Sequence, residues 1–227
     1  VIEKKGDTTM SYGYILFDLD GTLTDSGPGI MNSAAYALEQ MGVPVGDPAL
    51  LRRFIGPPLN ETFHDCYGIP EEQVGEAIRQ YRVRYNEGGG IFENSPYPGI
   101  ETCLAELKAA GKVLAVATSK PLPMAQRVLD HYNLTQYFDY IYGGTLDETG
   151  RGCKKSVIVG DAIAACGEEH RQEIIMVGDR KHDIEGAHAN HIPCIAVLWG
   201  YGNQEEFQKA GADFIVSNYE ELNNLVL

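Results

Sequence analysis

From residue 98 onward, short apolar runs alternate with stretches of helical periodicity. That alternation limits the possible folds more than any other feature of the chain. The runs lie at 113–117, 140–142, 174–177, 194–198 and 214–216, and a sixth, Tyr14-Ile15-Leu16-Phe17, stands near the start. Between them, Ile100, Cys103/Leu104 and Leu107 repeat at helical spacing. So do Met124/Ala125, Val128/Leu129 and Tyr132, and then Val157/Ile158, Asp161/Ala162 and Ala165. A further helix is expected over 184–190, and Ser217 with Glu220 reads as a capping box for a last one. Short continuous apolar strands separated by helices are buried on both faces, which is the pattern of a doubly wound parallel sheet in an α/β protein.

Residues 25–93 interrupt this scheme with helices alone. Ile30, Ala34, Ala37/Leu38 and Met41 mark the first, entered at Ser26-Gly27-Pro28. Asp47-Pro48 opens a short second helix, with Asp as cap and Pro at the first position, and Gly56-Pro57-Pro58 breaks it. Leu59, Phe63 and Cys66/Tyr67 predict a third, and Val74, Ile78, Tyr81 and Tyr85 a fourth. The division expected is a core over 10–24 and 94–227 with a helical cap over 25–93. Inserts of this kind form lids over sites at strand ends.

The chemistry-bearing residues sit just beyond the strands. Asp18-Leu19-Asp20-Gly21-Thr22 follows the first one, and acids at the carboxyl end of a strand in an open α/β sheet stand where such folds bind ligands. Asp18 and Asp20, two apart, can face one ligand. Gly21 permits a sharp turn whose amides, with that of Thr22, can meet an anion. Thr118-Ser119-Lys120 follows the second strand, Lys154-Lys155 precedes a helix, and Gly178-Asp179-x-x-x-Asp183 follows the strand at 174–177.

An Asp-x-Asp-Gly-Thr after a hydrophobic strand, a later Thr, a Lys and Gly-Asp-x-x-x-Asp together resemble the haloacid dehalogenase superfamily of phosphohydrolases. The closest likeness is to its phosphoglycolate phosphatase and 5′-nucleotidase branch. The resemblance runs from about Tyr14 to the C-terminus. It implies that Asp18 attacks phosphorus to form an aspartyl-phosphate, and that Asp20 serves as general acid and then base. It gives Thr118 a hydrogen bond to the transferring phosphoryl group, with Ser119 beside it. A lysine, Lys154 or Lys155, would offset the repulsion of carboxylate and phosphate, about 4 kcal/mol at 4 Å for an effective dielectric near 20. Spacing to the following helix favours Lys154. Hard oxygen donors suit Mg²⁺. By resemblance its ligands are Asp18, the Asp20 backbone carbonyl and Asp179, with Asp183 bound directly or through water, so that four acids gather in one crevice. Arg53, Gly56 and Pro57 of the cap, with the loop at 96–99, are expected to set specificity.

The activity expected is Mg²⁺-dependent hydrolysis of a small phosphate monoester. A phosphosugar mutase or pyrophosphatase of the same superfamily would use the same residues. A phospho-accepting regulatory domain is the alternative from another class, and the insert and Asp20 argue against it. Composition narrows the partners. A net charge of −14 gives no basic surplus for nucleic acid or an anionic membrane. The five cysteines are scattered with no C-x-x-C, which suits a reducing cytosol. No apolar run reaches membrane-spanning length. Residues 1–9 lack a signal-peptide core and read as a disordered lead-in. The chain is expected to be a cytoplasmic monomer or weak dimer acting on a phosphorylated metabolite. Thr149 to Ser156 fails the P-loop pattern, and Gly200-x-Gly202 fails the dinucleotide fingerprint.

Overall fold

In the computed structural model, which describes residues 12–57, 59–145 and 154–227, the central strand is β1, Tyr14–Phe17. A two-residue strand, β2 (Thr24–Asp25), pairs antiparallel with β3 (Ser95–Pro96), and among the described residues between them the regular elements are helical. The remaining strands are β4 (Val113–Pro121), β5 (Tyr140–Gly144), β6 (Ile174–Gly178), β7 (Cys194–Val197) and β8 (Phe214–Val216). The large sheet is parallel throughout, in the order β5-β4-β1-β6-β7-β8. Tyr14 is level with both Val113 and Ile174, so β1, β4 and β6 deliver their next residues to the same edge.

Alternation within the strands divides the core in two. Ile15, Phe17, Leu114, Val116, Ile175 and Val177 face one side. Leu16, Ala115, Ala117, Ile174 and Met176 face the other. Helix α6 (Lys155–Cys166) and α7 (Lys181–Ala189) cover the second side with Ile158, Val159, Ala162 and Ile184. On the first side the apolar cluster includes residues of α4 (Ile100–Ala109), α5 (Leu122–His131) and α9 (Tyr219–Val226). It also runs without a break into the insert, through Phe54, Phe63, Val74 and Tyr81. Cap and core therefore share one hydrophobic cluster.

The insert contains α1 (Gly27–Gln40), α2 (Leu59–Tyr67) and α3 (Glu71–Arg82), with a 3₁₀ segment at Pro48–Phe54. Asp47 caps that segment by accepting from the Ala49 amide, as Asp before Pro predicts. A π-helical turn, Val83–Glu87, continues α3.

Three details depart from the sequence reading. The last helix is capped by Asn218, which accepts from the Glu221 amide, and Ser217 only donates its own amide to the Glu221 carboxylate. The expected box is thus shifted by one residue. Helix α7 begins at Lys181, not 184, because Asp183 caps it from within. A short helix, α8 (Gln204–Ala210), was not anticipated, although Asn203 caps it and Phe207 is its one buried anchor.

Candidate active site

The strand ends at β1, β4 and β6 form the floor of a cleft of about 550 Å³, and the insert forms its roof. Asp18 follows β1 directly, held by a bond from its amide to the Val177 carbonyl at 2.9 Å. Its Oδ1 accepts from the Leu19 amide at 2.8 Å and lies 2.8 Å from Lys155 Nζ. The Thr118 hydroxyl helps hold this carboxyl down against the effect of burial. Thr118 is buried near the end of β4, where the pairing with β5 slips between Thr118 and Pro121. Ser119 follows it inside the same strand and lines the cleft.

Asp179 and Asp183 stand on the opposite side of Asp18. One carboxylate oxygen from each of the three lies within 4.8 Å of the others, and all three side chains are buried. The neighbouring backbone gives way to Asp179. A Cβ on Gly21 would fall 2.2 Å from its Oδ2, and one on Gly200 would fall 2.3 Å from its Cβ. Gly21 also has φ of +86°, which favours glycine independently. The Tyr201 amide donates to Asp179 Oδ2 at 2.8 Å, and the Thr22 hydroxyl to Oδ1 at 3.3 Å. Asp183 Oδ2 accepts from the Arg180 amide. Its Oδ1 has Lys155 Nζ at 2.8 Å as ion-pair partner and no hydrogen bond among the described residues.

Burial pushes the Asp18 carboxyl up to about 6, with Lys155 opposing the rise and Asp183 adding to it. Asp179 is raised in the same direction, by burial and then by Asp183 and Asp18. One lysine against three buried acids leaves the trio short of positive charge. A hard dication fits that deficit and this all-oxygen donor set. The residues present suit Mg²⁺.

Asp20 departs from the expected foursome. Its carboxylate is outside the trio, with Lys120 Nζ at 3.1 and 3.0 Å from its two oxygens. Only its backbone carbonyl was expected to serve a metal, so the acids divide three and one. The lysine preference is also corrected. Lys154 is exposed at the N-cap of α6, whereas Lys155 is buried and reaches Asp18, Asp183 and the Ala117 carbonyl. The physical reason is helix phase. The buried positions of α6 are Lys155, Ile158, Val159, Ala162, Ile163 and Cys166, a face that includes Lys155, while Val157 is half exposed. A stripe drawn through Val157 had the wrong phase. In α7, Gly186 leaves room for the lysine stem, since a Cβ there would fall 2.6 Å from Lys155 Cγ. The preceding Gly150-Arg151-Gly152 lies outside the described residues.

The amides of Gly21 and Thr22 are not aimed at an anion. They donate to Thr24 O and Leu19 O within the turn itself. Gly56 and Pro57 line the cleft as expected, but Arg53 lies in an adjoining hollow with Arg52 and Arg180. None of residues 96–99 lines the cleft; Tyr97 instead bonds the Leu23 carbonyl. Two residues escaped sequence reasoning. Lys120 is one. The other is Arg180, which joins Glu206 and the Ile55 carbonyl across the mouth at 3.0 and 2.7 Å. Both stand beside motif residues, yet neither gains a role from the sequence, because a lysine in a strand and an arginine after an acid are read by default as solvated.

A sequence model of the haloacid dehalogenase-like hydrolases matches residues 15–197. A 5′-nucleotidase of Pseudomonas aeruginosa is 40% identical over 206 residues, covering 89% of this chain and 90% of its own. The tyrosine-protein kinase PtkA of Mycobacterium tuberculosis is 41% identical over 201 residues, covering 88% of this chain and 67% of its own. Among solved structures, a predicted phosphatase from Clostridium acetobutylicum superposes with a TM-score of 0.86 at 42% identity, covering 94% of this chain and 97% of that one.

Proposed function

The chain belongs to the haloacid dehalogenase-like hydrolases, a phosphatase by family, and from that premise we propose Mg²⁺-dependent hydrolysis of a small phosphate monoester through an aspartyl-phosphate. The observation that carries this reading is Lys155, buried 2.8 Å from both Asp18 and Asp183 on the cleft floor. A lysine so placed keeps Asp18 ionised as a nucleophile and offsets the charge of an approaching phosphoryl group. Asp18 attacks phosphorus while Asp20 gives its proton to the leaving oxygen, and Asp20 then takes a proton from water to free Asp18. Thr118 orients the Asp18 carboxylate and supplies a hydroxyl to a phosphoryl oxygen. Mg²⁺ held by Asp18, Asp179 and Asp183 would neutralise charge on the transferring group.

The insert, between the paired strands at Thr24 and Pro96, is the cap of this reading. Phe54, Leu59, Ile78, Tyr81 and Met124 give the cleft an apolar lining, and its volume exceeds the needs of a two-carbon acid. That lining supports a nucleoside monophosphate ahead of phosphoglycolate. The test is phosphate release from nucleoside monophosphates, phosphoglycolate, sugar phosphates and pyrophosphate, with and without EDTA. Release that depends on Mg²⁺ and is fastest on nucleotides is expected. No release from any ester, with ATP instead labelling a tyrosine acceptor, would overturn the reading.

A further inference from the structure

We infer that Lys120 is a positioning residue for Asp20, and that Tyr85 of the cap orients Lys120 in turn. This rests on the acid–base role proposed for Asp20. Lys120 Nζ lies 3.1 and 3.0 Å from the two Asp20 oxygens and 2.5 Å from the Tyr85 hydroxyl. An ammonium has three donors, and these contacts account for all of them. The lysine thus has no donor left for substrate, which separates a positioning role from a binding one. It is itself fixed. Its side chain is 5% exposed, and its amide donates to Thr118 Oγ1 at 3.2 Å.

The arrangement ties the two parts of the molecule at the reacting centre. Tyr85 sits in the π-helical turn after α3, is buried, and stacks on Tyr81 with centroids 5.4 Å apart. π-Turns inside helices often mark functional positions, because they redirect a side chain. Here the redirected hydroxyl belongs to the roof and the carboxylate to the floor, with one lysine between. A carboxylate held at both oxygens keeps its plane fixed relative to the leaving group, and small misplacements of a catalytic group are costly.

The test compares an alkyl phosphate with p-nitrophenyl phosphate, whose leaving group needs little protonation. Lys120→Met removes every donor at similar length, Lys120→Arg keeps charge, and Tyr85→Phe removes one contact. For Lys120→Met the alkyl ester should lose at least about tenfold more kcat than the aryl ester, a fraction of a full general-acid contribution. KM and the Mg²⁺ requirement should be unchanged. Lys120→Arg should recover part of the loss, and Tyr85→Phe should show the same bias, smaller. Equal losses on both esters, or a change confined to KM, would overturn the assignment. Should Lys120→Met fail to fold, as judged by circular dichroism, Tyr85→Phe decides alone by the same criterion. Asp20→Asn separates the two levels. If it lacks the leaving-group bias, the acid–base reading falls and this inference with it. If it shows the bias and the Lys120 and Tyr85 variants do not, only this inference falls.

Discussion

On the floor of the cleft Asp18, Asp179 and Asp183 are buried, and Lys155, buried with them, reaches two of the three. On the roof Phe54, Leu59, Ile78 and Tyr81 present carbon, and the arginines Arg52 and Arg53 are exposed in a side hollow. Charges on the floor cost desolvation unless each is matched within a few ångströms, so a single substitution there leaves an uncompensated neighbour. These carbon contacts on the roof are dispersive and tolerant, and each is worth little alone, whereas the Tyr85 hydroxyl, bonded to Lys120, is of the floor's kind. On the proposed reading, the difference teaches that the floor sets which bond breaks while the apolar part of the roof grades which ester arrives.

The largest effect should come from the floor. Asp18→Asn should reduce phosphate release to background while circular dichroism stays native, because uncatalysed monoester hydrolysis is among the slowest of reactions. Turnover near wild type would break the comparison at its centre. The next effect sharpens it within adjacent residues. Lys155→Met should lower kcat by at least about 10²-fold, given the repulsion it offsets. Lys154→Met, exposed at the helix entrance, should change kcat by less than about twofold, as surface substitutions generally do.

A third prediction uses pH. Burial raises the Asp18 carboxyl from 3.8 to about 6 in the folded chain, so folding favours its protonated form. The stability this contributes is fully present below about pH 4 and lost as pH rises through about 6. Asp179 is shifted in the same direction. Mg²⁺ should therefore stabilise most where both are ionised. At one hundred times its Kd it adds about 2.7 kcal/mol, so Tm measured with Mg²⁺ against EDTA should rise by roughly 5–10 °C at pH 7.5. The rise should shrink as pH falls through 6, and in Asp179→Ala it should nearly vanish. A rise independent of pH would remove the acids from the metal site. The smallest effect belongs to the roof: Leu59→Ala should raise KM for a bulky ester by about tenfold, the low end of what one methylene in an apolar pocket is worth, and leave kcat for p-nitrophenyl phosphate unchanged.

The sheet was legible because each strand is a short run of apolar residues at the distance a helix requires, and all six were located from that pattern alone. Asp18, Asp179 and Asp183 were legible for the same reason, since the end of a strand fixes where the next residue goes. Lys155 was half legible: the sequence offered a pair, and the choice hung on helix phase, which Val157 obscured. Lys120 and Arg180 were not legible, because their partners Tyr85 and Ile55 lie 35 and 125 residues away. Such contacts are set by how the insert docks, which no local pattern encodes. The amides of Gly21 and Thr22 misled for the opposite reason. They are consumed by the turn that makes the motif recognisable.

The placement of β1 at the middle of the sheet has a consequence for how the protein is made. Tyr14 must find Val113 on one side and Ile174 on the other. On a ribosome adding 5–20 residues per second, the second partner follows the first strand by roughly 8–30 s. For that interval β1 has at least one edge unsatisfied, and the helical insert is synthesised beside it before either partner strand. Nascent chains in that condition are chaperone clients and are prone to swap strands with one another. The yield of active protein should therefore respond to the speed of translation through the second half of the message, even where the amino-acid sequence is unchanged.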